Sequence, residues 1–167
     1  MGKKRKPQRE VELEDIISTT LNDSSIDPKD IILKSQLALE ALLIEHILTL
    51  KNDESVPFEF PKKCEWLVKV GAINEATATA YLAFNKLRND CIHIFGYTID
   101  ISKLKTLTSQ LEQCGVEFSD SPNNYNDEKA LEYYDGIRGI CAEIGYNLLF
   151  HQATHLNISG GRDLFSG

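Results

Sequence analysis

An all-α fold, a compact bundle of about five to six helices, is predicted by three observations. Apolar residues recur at helical spacing along most of the 167 residues. Helix starts carry capping residues, as at Asp27-Pro28, and helix ends carry glycine, as at Gly71 and Gly115. Strand signals are absent, and no internal repeat is visible.

The elements follow in order. Val11, Leu13, Ile16, Ile17 and Leu21 predict a short amphipathic helix over residues 11–22. Asp27 as N-cap and Pro28 at the first helical position start a long helix reaching about Leu50. Between Leu37 and Leu50 it is apolar almost all round, which makes it the central helix. Pro57 and Pro61 bracket an extended link, followed by a short helix over about 62–70 that Gly71 ends. A helix over about 74–94 comes next, broken by Phe95-Gly96, and another over about 100–114, stopped by Gly115. Residues 116–126 read as a loop. A last long helix is expected from about Asn126 to His151, with Ala130, Tyr134, Ile137, Cys141, Ile144 and Leu148 as its apolar stripe. Gly136, Gly139 and Gly145 fall inside it, each at a cost of roughly 1 kcal/mol against alanine, which implies close approach of another helix. Residues 1–10 read as a disordered basic tail, 11–152 as the helical domain and 153–167 as a flexible Gly/Ser-rich tail.

Composition narrows the function. Hydrophobic residues at 42% and charged residues at 26% suit a globular protein with a substantial core. The most apolar stretch, residues 31–50, is interrupted by Lys34, Glu40, Glu45 and His46 and reads as a buried helix, not a membrane span. The opening Met1-Gly2-Lys3-Lys4-Arg5-Lys6 lacks the apolar run of a signal peptide, so a cytoplasmic setting is expected. Cys64, Cys91, Cys114 and Cys141 are too scattered for a zinc site and are expected as free thiols. The net charge of −7 is uneven: residues 1–10 carry +4, leaving −11 on the other 157. A body this acidic excludes non-specific nucleic-acid binding and requires any RNA site to be local.

Chemistry concentrates in Arg88-Asn89-Asp90-Cys91-Ile92-His93. A guanidinium that grips phosphate and an imidazole that moves a proton near neutral pH suffice for metal-independent RNA cleavage. At 100° per residue, Ala80, Phe84, Leu87, Cys91 and Ile94 form one core stripe. Asn89 and His93 share a face roughly opposite it, with Arg88 about 140° around from His93. One reading makes these three a solvated polar face. The other notes that Leu82 and Ile92 also lie off the core stripe, so a second copy packing there would bring two Arg/His pairs to one cleft.

The central apolar helix, then a helix ending Leu-Arg-Asn-Asp-Cys-Ile-His before Phe-Gly-Tyr, resembles the HEPN superfamily of small all-α domains. The family motif is arginine, a polar residue, three variable residues and histidine, matched here by Arg88, Asn89 and His93. Lys69-Val70-Gly71-Ala72-Ile73 also looks like prokaryotic subfamilies related to the mannitol operon repressor. The resemblance implies a face-to-face homodimer and, in many members, a metal-independent endoribonuclease of toxin–antitoxin or antiviral systems. His93 would then be the general acid/base, Arg88 the stabiliser of the phosphorane-like transition state, and Asn89 a residue orienting one of them. RNA is the implied substrate, an antitoxin or other protein a candidate partner, and no cofactor or metal is called for. The alternative implied by other members is a non-catalytic interaction or regulatory module. In the toxin branch paired with a nucleotidyltransferase, a modified tyrosine stands two residues after the histidine; this chain has Phe95 there.

Other candidates carry milder expectations. His151 and His155, four apart, suit either two metal ligands or a frayed helix end. His46 is expected as a satisfied core histidine, and Tyr133-Tyr134 as packing residues in preference to a base-stacking pair. Gly160-Gly161 lacks the strand–turn–helix context of a phosphate loop. Asn22-Asp23-Ser24 and Asn157-Ile158-Ser159 match glycosylation sequons without a route to secretion.

Overall fold

Residues 12–53 and 55–164 are described by a computed structural model, and helix is the only regular structure they form. The seven α-helices among them make the fold all-α, with slightly more helices than the sequence predicts. The basic tail of residues 1–10 lies outside the described residues. No described helix is long and apolar enough to cross a membrane.

The short helix α1 (Leu13–Ile16) runs on into a π-helical turn, Ile17–Leu21, which buries Leu21 beside Leu13. Helix α2 (Pro28–Leu50) starts as its sequence signals: the Asp27 carboxylate accepts from the Lys29 N–H at 2.9 Å, with proline behind it. Ile31, Ile32, Leu39, Leu42, Leu43 and Ile47 are all buried, so α2 is the central helix. Helix α3 (Phe60–Lys69) closes on Gly71 at φ +76, where the Ala72 and Gly71 N–H groups donate to the Leu67 and Val68 carbonyls.

Helix α4 (Glu75–His93) is capped by Asn74, whose side chain accepts from the Thr77 N–H at 2.8 Å. It packs Ala80, Tyr81, Phe84 and Leu87 into the core, against α2, α3 and α5 (Ile101–Gln113). Ile94, expected on that stripe, is instead half exposed, because the chain leaves helical geometry there and turns at Gly96.

The expected last helix is in fact two. Helix α6 (Asp127–Tyr133) stops, Asp135 takes φ +57 and Gly136 φ +92, and α7 (Ile137–Ile158) begins. The apolar stripe through residues 130–148 hid this break, because Ala130 and Ile140 both face the core across it. Gly136 is therefore a turn glycine, free to take a φ that a side chain resists. Gly139, by contrast, lacks room: a Cβ there would run into the Tyr134 carbonyl at the end of α6. Gly145 fits the close approach inferred from sequence, and its neighbour is α2. A Cβ at Gly145 would lie 2.5 Å from Ser35 Oγ. The C-terminal helix also outlasts its expected end. Ala153 and Leu156 are buried, and Arg162 pairs with Glu45 at 2.6 Å, so residues 153–162 belong to the packed domain and not to a tail. Arg138 locks the other end of α7 to the π-helical turn, its Nη2 donating to the Leu21 carbonyl at 2.8 Å.

Gly139→Ala should therefore lower stability by about 2 kcal/mol, in the range of overpacked sites, measured as a lower urea midpoint at unchanged slope. Gly145→Ala should cost less, because the Ser35 hydroxymethyl can rotate away whereas a backbone carbonyl cannot. A Gly139→Ala protein as stable as wild type would contradict the tight α6–α7 joint.

Candidate functional site

The Arg88–His93 motif occupies the last two turns of α4, where the helix leaves the core. Arg88 is half-buried and turned toward α2. Its Nη1 donates to Asn89 Oδ1 at 3.0 Å, while its Nε is buried without a hydrogen-bond partner among the described residues. Arg88 and Asn89 form one wall of a cleft of about 460 Å³. The opposite walls are Gln36 and Glu40 of α2 and the link carrying Phe58. Lys63 lies beneath, 1% exposed, with its Nζ 2.8 Å from Glu40 Oε1 and 2.6 Å from the Phe58 carbonyl. A lysine so deeply buried is tolerable only because both contacts offset its desolvation.

His93 is placed differently. It is exposed on the final turn of α4 and does not line the cleft. Within one chain the structure therefore brings Arg88 and Asn89 together and leaves His93 apart, as the 140° between them on a helix requires. Exposed apolar side chains flank His93 in sequence, Ile92, Ile94 and Phe95, the last completely exposed, and Leu82 is exposed three turns back along α4. The nearby cation Lys86 is matched by Asp90 at 2.8 Å, one turn on.

Sequence reading missed Gln36, Phe58 and Lys63 as neighbours of the motif. They stand 25 to 52 residues upstream of Arg88, and only folding α2 and the link against α4 assembles them. No local signal marked them: Gln36 stands beside Lys34 and Ser35, before the apolar stretch of its helix begins.

The remaining candidates resolve into structural roles. His46 is fully buried and satisfied, as expected: Gln152 Nε2 donates to His46 Nδ1 at 2.9 Å, so its Nε2–H donates to Ser159 Oγ at 2.7 Å. Tyr81 OH donates to Gln152 Oε1 at 2.8 Å, completing a buried chain that ties α4 to α7 and α2. His151 and His155 are not a frayed end. Both sit on α7 with their Nε2 atoms 3.2 Å apart, and Thr77 Oγ1 lies 3.2 Å from that of His151. Among the described residues no cluster of three or more His, Cys, Asp or Glu side chains is arranged to hold a metal ion. All four cysteines are free thiols, and burial pushes those of Cys64 and Cys141 up to about 12, far from nucleophilic at neutral pH. Tyr134 packs and donates its hydroxyl to the Asp120 carbonyl, whereas the exposed Tyr133 stacks on Tyr125 with ring centroids 5.0 Å apart.

In comparisons with models of protein families, with curated proteins and with solved structures, the chain finds no match. The class of protein is set by the fold and the cleft alone: an all-α domain carrying an arginine-walled cleft beside an exposed histidine and apolar surface.

Burial, and secondarily the charge of His155, holds His46 and His151 down to about 4, against 6.5 for an ordinary histidine. The unfolded chain takes up these protons below pH about 6.5, but the folded chain does so only near 4. Stability contributed by these groups is thus complete above pH 6.5 and is lost as pH falls toward 4. Urea unfolding at pH 5 should give a free energy about 2 kcal/mol below that at pH 7.5, after discounting for partial solvent access. A flat profile over that interval would mean that the imidazoles protonate in place.

Proposed function

We propose that this chain is a metal-independent endoribonuclease of the HEPN type, acting as a homodimer. The observation that carries the reading is an arginine and an exposed histidine in the last two turns of one helix, beside exposed apolar side chains. Arg88 donates through Nη1 to Asn89 Oδ1, which supports a positioning role for Asn89. His93 lies about 1.4 turns further on, about 140° around the helix and about 7.5 Å along its axis. A second copy meeting the first across Leu82, Ile92, Ile94 and Phe95 would supply the histidine that faces an arginine, and would exclude water from the phosphate.

In the proposed reaction His93 takes the proton of a 2′-hydroxyl, and the 2′-oxygen attacks phosphorus. Arg88 stabilises the negative charge on the phosphorane-like oxygens, and the bond from phosphorus to the 5′-oxygen breaks as that oxygen takes a proton from an imidazolium of the dimer's two His93 side chains. The products are a 2′,3′-cyclic phosphate and a 5′-hydroxyl. This chemistry suits a cytoplasmic toxin or antiviral-defence component whose partner is an antitoxin protein. The −11 charge of residues 11–167 favours a second reading, a non-catalytic module of the same fold that regulates a protein partner.

Arg88→Ala and His93→Ala should each slow RNA cleavage by about 10²-fold or more, and Asn89→Ala by less, with circular dichroism confirming the fold. Wild-type activity should survive EDTA. If the wild type cleaves no RNA, alone or with its partner, the regulatory reading replaces this one; if both variants stay fully active, the site lies elsewhere. Light scattering at micromolar concentrations should give twice 18.8 kDa. A strict monomer would remove the shared site.

A further inference from the structure

We propose that His151 and His155 of α7 form a binding site for one divalent transition-metal ion of the zinc type, beside Thr77 at the start of α4. The site stands apart from the endoribonuclease reading, since Thr77 is about 16.5 Å along α4 from Arg88.

The spacing comes first. Histidines four apart on a helix project from one face, the arrangement in which two imidazoles share an ion. Their Nε2 atoms are 3.2 Å apart. Two nitrogens at that separation subtend about 103° at an ion about 2.05 Å from each, close to the tetrahedral angle of zinc sites. The ring positions agree. Imidazoles joined head to head by a straight N–H···N bond hold their centroids about 5.5 Å apart. Rings that both point at one ion hold them about 5.0 Å apart at this angle. The observed 4.7 Å is nearer the shared-ion value.

Proton counting points the same way. Thr77 Oγ1 also lies 3.2 Å from His151 Nε2. That nitrogen carries either one proton or one lone pair, so it cannot serve Thr77 and His155 in full at once. An ion resolves the conflict. Each ring gives it the Nε2 lone pair and keeps its proton on Nδ1, and the Thr77 hydroxyl stays as a neighbouring oxygen donor. Burial holds both imidazoles below the usual histidine pKa, so both are neutral at pH 7, the form that ligates a metal.

The surroundings select a cation. His151 and His155 line a cleft of about 850 Å³ together with Glu112 and Glu117, and no lysine or arginine is among its described lining residues. No third His, Cys, Asp or Glu stands in ligating position among the described residues, so the ion keeps water at its remaining positions. Two imidazoles with water are a donor set for zinc, nickel or copper. Magnesium and calcium take oxygen instead.

The test adds zinc chloride to the full-length, untagged protein in chelator-free buffer. Isothermal titration calorimetry follows binding, and NMR follows the histidine rings. One ion should bind per chain, shift the ring resonances of His151 and His155 but not those of His93, and raise the urea midpoint. Magnesium chloride at the same concentration should do none of these. His155→Gln should weaken zinc binding by about 10-fold or more. No bound zinc, binding that leaves the His151 and His155 rings unshifted, or unchanged affinity in a folded His155→Gln protein would overturn the site. Should that variant fail to fold, the ring shifts of the wild type decide alone. The outcome is separable from the nuclease reading, because RNA cleavage should persist when EDTA removes the ion.

Discussion

The rest of the structure depends on the burial of α2, in which no residue from 38 to 47 is exposed. Each large apolar side chain taken fully out of water contributes roughly 1.5–3 kcal/mol. α2 supplies more of these than any neighbour, so the other helices are arranged to cover it. The constraint also fixes the fate of its three buried polar residues. His46 is satisfied at both ring nitrogens, Ser35 is pressed against Gly145 without a partner, and Gln36 keeps one bond and leaves one valence open. A polar group on the buried side of α2 has no water to turn to. Each one marks a crossing, a network or a cavity.

Much of this was legible in the sequence because local physics wrote it there. Asp27-Pro28, Asn74 and Asp100 cap helices where capping chemistry predicts, and Gly71 and Gly115 end them through left-handed turns. The break between α6 and α7 was not legible. Periodicity reports which residues face the core, and the stripe from Ala130 to Leu148 is continuous across the bend. The glycines were the only signal, and they were divided between two causes: Gly136 turns the chain, whereas Gly139 and Gly145 admit neighbours. For the candidate site, Arg88, Asn89 and His93 could be named from a local motif, but the cleft could not. Gln36 and Phe58 reach it through tertiary packing, which no spacing rule records.

Electrostatics explains why the cleft has to act by fit. The long-range field of an acidic body opposes a polyanion, so recognition must come from contacts within a few ångströms. Near Arg88 two lysines are already matched, Lys63 by Glu40 and Lys86 by Asp90. Arg88 itself is held in orientation by Asn89. That arrangement favours selective, short-range engagement over broad attraction to nucleic acid.

The cysteines turn the packing into a clock. Cys64 and Cys141 are sealed in the core, so a thiol reagent meets them only when the domain opens globally. Cys91 and Cys114 are half-buried near helix ends and answer to smaller, local fluctuations. A single alkylation time course on the unmodified protein therefore contains two populations. The fast one reports breathing at the ends of α4 and α5, and the slow one counts how often the whole bundle comes apart.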